Sequence, residues 1–237
     1  MRIVMLLLLV AVNGNVFAQT CETLGWDAAL TRDLNAIKSS AVTRSSQIVS
    51  DALYPLGIGL PAALYLAGVL NVFDDRCSAS PNATRAGVQI GTTMAAATAI
   101  TLGLKQAFDR KRPYQAYPDC ITNRASDSDP SFPSGHSAGS AALATSLSLV
   151  YPQWYVIVPS VGYALWTGFA RMNLGMHYIT DVMAGYAVGV GTALLVHAVR
   201  EHLFSVADPL LPDADCTRLG SLSVVPTTNI ISLSFGF

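Results

Sequence analysis

Charge is scarce in this sequence. Asp, Glu, Lys and Arg make up 12% of its 237 residues, against roughly 25% in an ordinary soluble domain. A chain so poor in charge coats a water-soluble globule badly. Its 14 basic and 15 acidic residues leave a net charge of −1. The molecule as a whole is therefore not drawn to nucleic acid or to an anionic surface, and any affinity for anions must come from a local basic cluster. Cysteine is limited to Cys21, Cys77, Cys120 and Cys216. None has C-x-x-C spacing, which argues against a zinc site or a dithiol redox motif. In an oxidising compartment four cysteines can pair in three ways, and the sequence does not choose among them.

Apolar side chains are abundant, at 51%. Residues 1–18 read as an export signal, with Arg2 as the positive start, Ile3 to Val12 as the apolar run and Val16-Phe17-Ala18 as a small-residue cleavage site. Residues 19–50 carry Trp26, Leu30, Leu34, Ile37, Ala41 and Ile48 at steps of three and four, which predicts an amphipathic helix. That helix is expected to lie on a membrane surface or cap a bundle, with packing against the core as the alternative. Residues 51–200 contain five apolar segments: Leu53–Val72, Ala86–Leu104, Ser137–Tyr151, Trp154–Ala170 and Val182–Val199. They are too long for strands and lack period-two alternation, and their Gly, Ala, Ser and Thr content suits close helix contact. The expected fold is all-α, a bundle of about five apolar, transmembrane helices with an N-terminal amphipathic helix. Several segments fall short of the roughly 20 residues of a full span, so a soluble exported bundle stays open. Residues 201–237 form a tail with prolines and a β-prone end. Counting five crossings from an exported N-terminus places the links 105–133 and 171–181 on one outer face, with Cys21 and Cys120, and separates these from Cys77 and Cys216.

Three clusters in those links carry chemistry. In the first, Lys105 and Arg112 stand seven apart, two helical turns, just before Pro113, which disfavours helix at Arg112. Two fixed cations aimed at one point suit a phosphate group, and arginine can hold it with two parallel hydrogen bonds. In the second, Pro133-Ser134-Gly135-His136 opens an apolar helix. Ser134 is a natural N-cap, the free N–H groups of a helix start attract anions, and Gly135 lets a ligand come close. In the third, His177 and Asp181 are four apart behind Arg171. On a helix they would be neighbours, Asp181 fixing the tautomer and leaving the other ring nitrogen of His177 as a nucleophile. Arg110, Lys111 and Arg124 are lesser candidates for attracting an anion, charges that more often are simply solvated.

In order and spacing these clusters resemble the type 2 phosphatidic acid phosphatase superfamily, which also holds bacterial acid phosphatases and vanadium haloperoxidases. Ala170 stands where that signature usually has Ser. The resemblance implies that Lys105, Arg112, Arg171, Ser134 and Gly135 bind the phosphate. It makes His177 the nucleophile of a phosphohistidine intermediate, His136 the acid and then the base, and Asp181 the orienting carboxylate. No metal or other cofactor is expected. The implied activity is a metal-independent phosphatase acting on phosphomonoesters or pyrophosphates of lipids, embedded among membrane lipids and facing the periplasm or exterior. A soluble exported acid phosphatase is the alternative; a haloperoxidase and an inactive membrane protein are more remote.

Overall fold

The computed structural model describes residues 21–70 and 83–207. The expected export signal, Cys77, Cys216 and the residues from 208 onward lie outside the described residues. Those described are helical or irregular: α1 (Trp26–Asn35), α2 (Ser40–Asp51), α3 (Leu53–Val69), α4 (Ala83–Phe108), the single turn α5 (Pro113–Ala116), α6 (Gly135–Val150), α7 (Trp154–Asn173), α8 (Ile179–Ala198) and α9 (Arg200–Ala207). The tail thus begins as helix.

α6 is the hub, packed by α4, α7 and α8, while α3 lies on α4 and α2 on α7. The α6–α8 contact is made close by glycine. A Cβ at Gly189 would stand 2.2 Å from the Ala138 carbonyl oxygen, and one at Gly185 would stand 2.5 Å from that of Ser134. Small residues here let the backbones touch, the usual way apolar helices associate without a hydrophobic difference between partner and surroundings.

Outside this hub many large apolar residues face outward. Ile58 on α3, Trp154 and Leu165 on α7 and Leu195 on α8 are all more than 60% exposed. Large apolar side chains exposed on three helices mark a surface for lipid or for a partner. Three helical stretches are long and apolar enough to cross a membrane, Ser40–Val69, Ala83–Ala116 and Ile179–Ala198. Neither α6 nor α7 is among them. α6 has 16 residues, about 24 Å of helix, and its position inside the bundle spares it from spanning lipid alone.

The N-terminal stripe is real but divided and turned outward. It runs over two helices, and Trp26 and Ile48 are 70% and 59% exposed. The buried face of α1 is polar or small: Ala28, Thr31 and Asn35. Asn35 donates to the carbonyls of Thr122 (3.0 Å) and Asn173 (2.8 Å) and accepts from the Thr122 N–H (2.9 Å). α1 therefore caps the bundle by stapling the 117–133 loop to the end of α7, which excludes packing of its apolar stripe into the core. A disulfide between Cys21, just before α1, and Cys120 ties the N-terminal segment to the same loop. It joins the two cysteines that the crossing count places on one face.

Candidate active site

All three sequence clusters meet at one end of the bundle. α4 delivers Lys105 in its last turn and stops at Phe108. Asp109 then takes a left-handed backbone conformation (φ 40°), and Arg112 follows in extended geometry as the N-cap of α5. Lys105 and Arg112 thus converge through a turn, not by sharing a helical face. Ser134 caps α6, accepting from the Ser137 N–H (3.3 Å) and hydroxyl (2.9 Å). Its hydroxyl is spent on the cap and Ser134 does not line the central cavity, whereas Gly135 and His136 do. A Cβ at Gly135 would meet Thr101 and Lys105 only at 3.7 and 3.9 Å, so the protein leaves room there. The His136 ring stands edge-on to Tyr54, with centroids 5.6 Å apart.

His177 lies in the turn between α7 and α8, its N–H and that of Met176 both reaching the Arg171 carbonyl (3.3 and 3.0 Å). It is not on the helix with Asp181, as the four-residue spacing suggested. Asp181 is in the first turn of α8 and its Oδ2 accepts from the Tyr178 N–H at 3.0 Å. The two side chains are still adjacent, but His177 Nδ1 is 3.7 Å from Asp181 Oδ2, longer than a hydrogen bond. Ser131 bridges the pair, with its hydroxyl 2.5 Å from Asp181 Oδ2 and 3.5 Å from His177 Nδ1. The other ring nitrogen, Nε2, stands 3.3 Å from Arg112 Nη1. Complete burial pushes the His177 imidazole well below its ordinary value, and Arg171, Arg112 and Lys105 push it the same way. The ring is therefore neutral at neutral pH and keeps a lone pair.

The cations are themselves buried and matched by carboxylates. Lys105 Nζ is 2.7 Å from Asp129 Oδ2 and donates to the Pro130 carbonyl. Arg112 Nη2 is 2.6 Å from Asp129 Oδ1, and its Nε donates to the Asp129 carbonyl at 2.7 Å. Arg171 Nη1 donates to Ser50 Oγ at 2.7 Å and its Nη2 pairs with Asp127. Partial burial raises the Asp129 carboxyl, but the ion pairs with Lys105 and Arg112 outweigh it and hold the group down to about 2. Asp127 is likewise held low, Arg171 overcoming its burial.

Sequence reasoning missed several of these residues. Asp127 and Asp129 lie in the 105–133 link outside its motifs. Asp27 stands off the apolar stripe of residues 19–50, yet it accepts from the Thr180 N–H (3.1 Å) and hydroxyl (2.6 Å) and from Arg110 Nη2 (2.7 Å). Arg110 links Asp27 to Asp181 Oδ1 (2.5 Å) and lies 3.9 Å over the Tyr178 ring. It is a structural cation. So is Arg124, which donates to the Ile37 and Asn173 carbonyls at 3.3 and 3.2 Å. Nothing in local spacing connects residue 27 with residue 181.

A cavity of about 600 Å³ leads to this site. Its walls are apolar, from Leu53, Gly57, Ile58 and Pro61 on α3 and Met94 and Leu102 on α4; its floor is Lys105, Arg112, His136 and His177. A second, more polar cavity of about 680 Å³ adjoins it, sharing Tyr54, Asp127 and His136.

Comparison with known proteins agrees with the geometry. A lipid A 1-phosphatase of Rhizobium johnstonii is 39% identical over 69 residues, 29% of this chain and 28% of the relative. The matched stretch is thus under a third of that relative's length. Crystal structures of Aquifex aeolicus LpxE and of a transmembrane PAP2 type phosphatidylglycerolphosphate phosphatase from Bacillus subtilis share the fold. Their TM-scores are 0.58 and 0.56 at 21% and 22% identity, covering 74% of this chain in each case and 96% and 85% of the solved chains. The PAP2 superfamily model matches residues 86–204, half of the chain and the stretch holding all three clusters, so this protein belongs to the PAP2 superfamily.

Proposed function

We propose that the protein is a membrane-embedded phosphatase of lipid phosphates, working through a phosphohistidine on the non-cytoplasmic face. One observation carries the reading: an apolar cleft between α3 and α4 ends on Lys105, Arg112 and a neutral, buried histidine, with Arg171 lining the adjoining cavity. The cleft takes a hydrocarbon chain, and its floor takes the phosphate. The outward apolar surface of α3, α7 and α8 supports a lipid setting over a soluble one. The candidate substrates are phosphatidic acid, phosphatidylglycerol phosphate, isoprenoid pyrophosphate and lipid A phosphate.

In this mechanism Lys105, Arg112 and Arg171 hold the phosphoryl oxygens and offset the charge that builds on them in the transition state. His177 keeps its proton on Nδ1, facing Ser131 and Asp181, and Nε2 attacks phosphorus. The bond from phosphorus to the leaving oxygen breaks as the Nε2–P bond forms. His136 gives its proton to that oxygen, then takes one from the water that cleaves Nε2–P and releases inorganic phosphate. Asp181 stabilises the cationic ring in between.

The test is phosphate release from these lipids in vesicles against soluble phosphomonoesters, using purified full-length protein. Faster release from lipids is expected, together with loss of activity in His177→Ala and its persistence in a chelator. Activity that survives His177→Ala overturns the mechanism, and equal rates on soluble esters overturn the lipid assignment. Release into solution without detergent overturns membrane integration.

A further inference from the structure

The seat assigned to the substrate phosphate is already taken by two carboxylates from the protein's own loop. Three buried cations without counter-charges would carry a large desolvation cost. Here three carboxylate oxygens meet them. Asp129 Oδ2 lies on Lys105 (2.7 Å), Asp129 Oδ1 on Arg112 (2.6 Å), and Asp127 Oδ2 on Arg171 and 3.9 Å from Arg112 Nη1. Two negative charges are thus presented through three oxygens. A terminal phosphate has the same inventory, three non-bridging oxygens and close to two charges. A phosphodiester has two such oxygens and one charge.

We propose that Asp127 and Asp129 act as a built-in counter-anion that the substrate must displace, and that they make the site select terminal phosphate groups over phosphodiesters. This rests on the phosphate-binding role of the cations given above. A terminal phosphate replaces two departing charges with two arriving ones. A diester brings one charge against two and leaves one more of the three cations unmatched than the carboxylates do. The loop is built for such an exchange. It is tied to the segment preceding α1 by the Cys21–Cys120 disulfide and to the catalytic end by Ser131, whose N–H donates to the Arg110 carbonyl (2.7 Å) and whose hydroxyl holds Asp181. Between these anchors the side chains of Asp127 and Asp129 are 31% and 51% exposed, so they can swing to water without leaving a buried charge behind. Asp127 also stands where the two cavities adjoin, open to the more polar one.

Binding, not turnover, tests this, so that its outcome is separate from that of the phosphatase reading. Inorganic phosphate and dimethyl phosphate are titrated calorimetrically at pH 8 into full-length protein, into Asp127→Asn, into Asp129→Asn and into the double variant. Each single variant is expected to bind phosphate at least tenfold more tightly than the wild type. Dimethyl phosphate is expected to gain measurable binding in the double variant. Asp129→Asn, the more exposed position, keeps the test open if Asp127→Asn does not fold. Unchanged or weaker phosphate binding in the folded variants overturns the counter-anion, even where the wild type binds phosphate and hydrolyses lipid phosphates. Absence of phosphate binding and of hydrolysis in every protein overturns the phosphatase reading along with it.

Discussion

A single methyl group at Gly189 measures how tightly the hub must close. The new Cβ would lie 2.2 Å from the Ala138 carbonyl oxygen, 2.7 Å from the Ala142 nitrogen and 2.9 Å from the Ala141 Cβ. All three atoms belong to α6 and two are backbone, so no side chain can rotate away. Reaching even 3.0 Å from the oxygen requires α6 and α8 to part by 3.0 − 2.2 = 0.8 Å. Forced separation of a packed interface costs about 1–3 kcal/mol. Against this, alanine gains up to about 1 kcal/mol over glycine in a helix. Gly191 lies two residues further along α8 with nothing within 4 Å of its Cβ position, so Gly191→Ala keeps the gain without the clash. The expected order of stability is Gly191→Ala, wild type, Gly189→Ala. The two variants should differ by about 1–3 kcal/mol, or roughly 2–4 °C in Tm per kcal/mol for a chain of this size. Thermal unfolding in one detergent, followed by circular dichroism, reads the difference. Equal Tm values for the two alanine variants would show that α6 and α8 are not in backbone contact, and the hub would have to be redrawn.

Other expectations concern the site. His136→Ala should lower kcat by roughly 10²–10⁴, as for loss of a general acid–base group, with correct folding checked by Tm. Asp27→Asn breaks a charged link to Arg110 and weakens two bonds to Thr180. It should cost about 1.5–3 kcal/mol of stability and lower kcat more than it raises KM, because Arg110 loses its second anchor beside Asp181; an unchanged kcat refutes that positioning role. The depressed Asp129 carboxyl gives stability that is fully present above its unfolded value of 3.8 and is lost as pH falls toward about 2. Thermal melts from pH 5 to pH 2 should show that decline, with a shallower slope in Asp129→Asn. Gly175 has φ of +76°, and a Cβ there would stand 2.5 Å from the Thr122 carbonyl. Gly175→Ala should therefore destabilise the turn that carries His177 and depress activity and Tm together.

What could be read from the sequence was what depends on short spacing. Helix positions emerged from apolar runs, with ends shifted by up to a turn or so: α4 reaches Phe108, past the expected Leu104, and α7 reaches Asn173, past Ala170. The Lys105, Arg112, His136, Arg171, His177 and Asp181 set was legible because each cluster is short and its chemistry local. Even there, one argument reached the right neighbours by the wrong geometry: His177 precedes the helix that bears Asp181. Arg112 is extended, as Pro113 requires, and it meets Lys105 across a non-helical turn.

The illegible part is the surrounding shell, and it has one physical cause. A buried cation needs a counter-charge, but nothing in its own neighbourhood says which carboxylate supplies it. Asp27 lies 154 residues before Asp181 in the chain, yet the two face each other across Arg110. Ser131 replaces the expected direct bond between His177 and Asp181, and its hydroxyl is one of many in the chain. The same cause explains α1. Its apolar stripe left open whether that face packs inward or lies outside, and inside this bundle the scarce resource is hydrogen-bonding partners for loop backbone, so the polar face with Thr31 and Asn35 turns inward. The apolar face is left outside, with Trp26 70% exposed. In a chain so poor in charge, the inward-turned polar groups are therefore where the site's organisation is concentrated, and substitutions at Asp27, Asn35, Asp127 and Ser131 should disturb function more than equal changes on the outward apolar stripe.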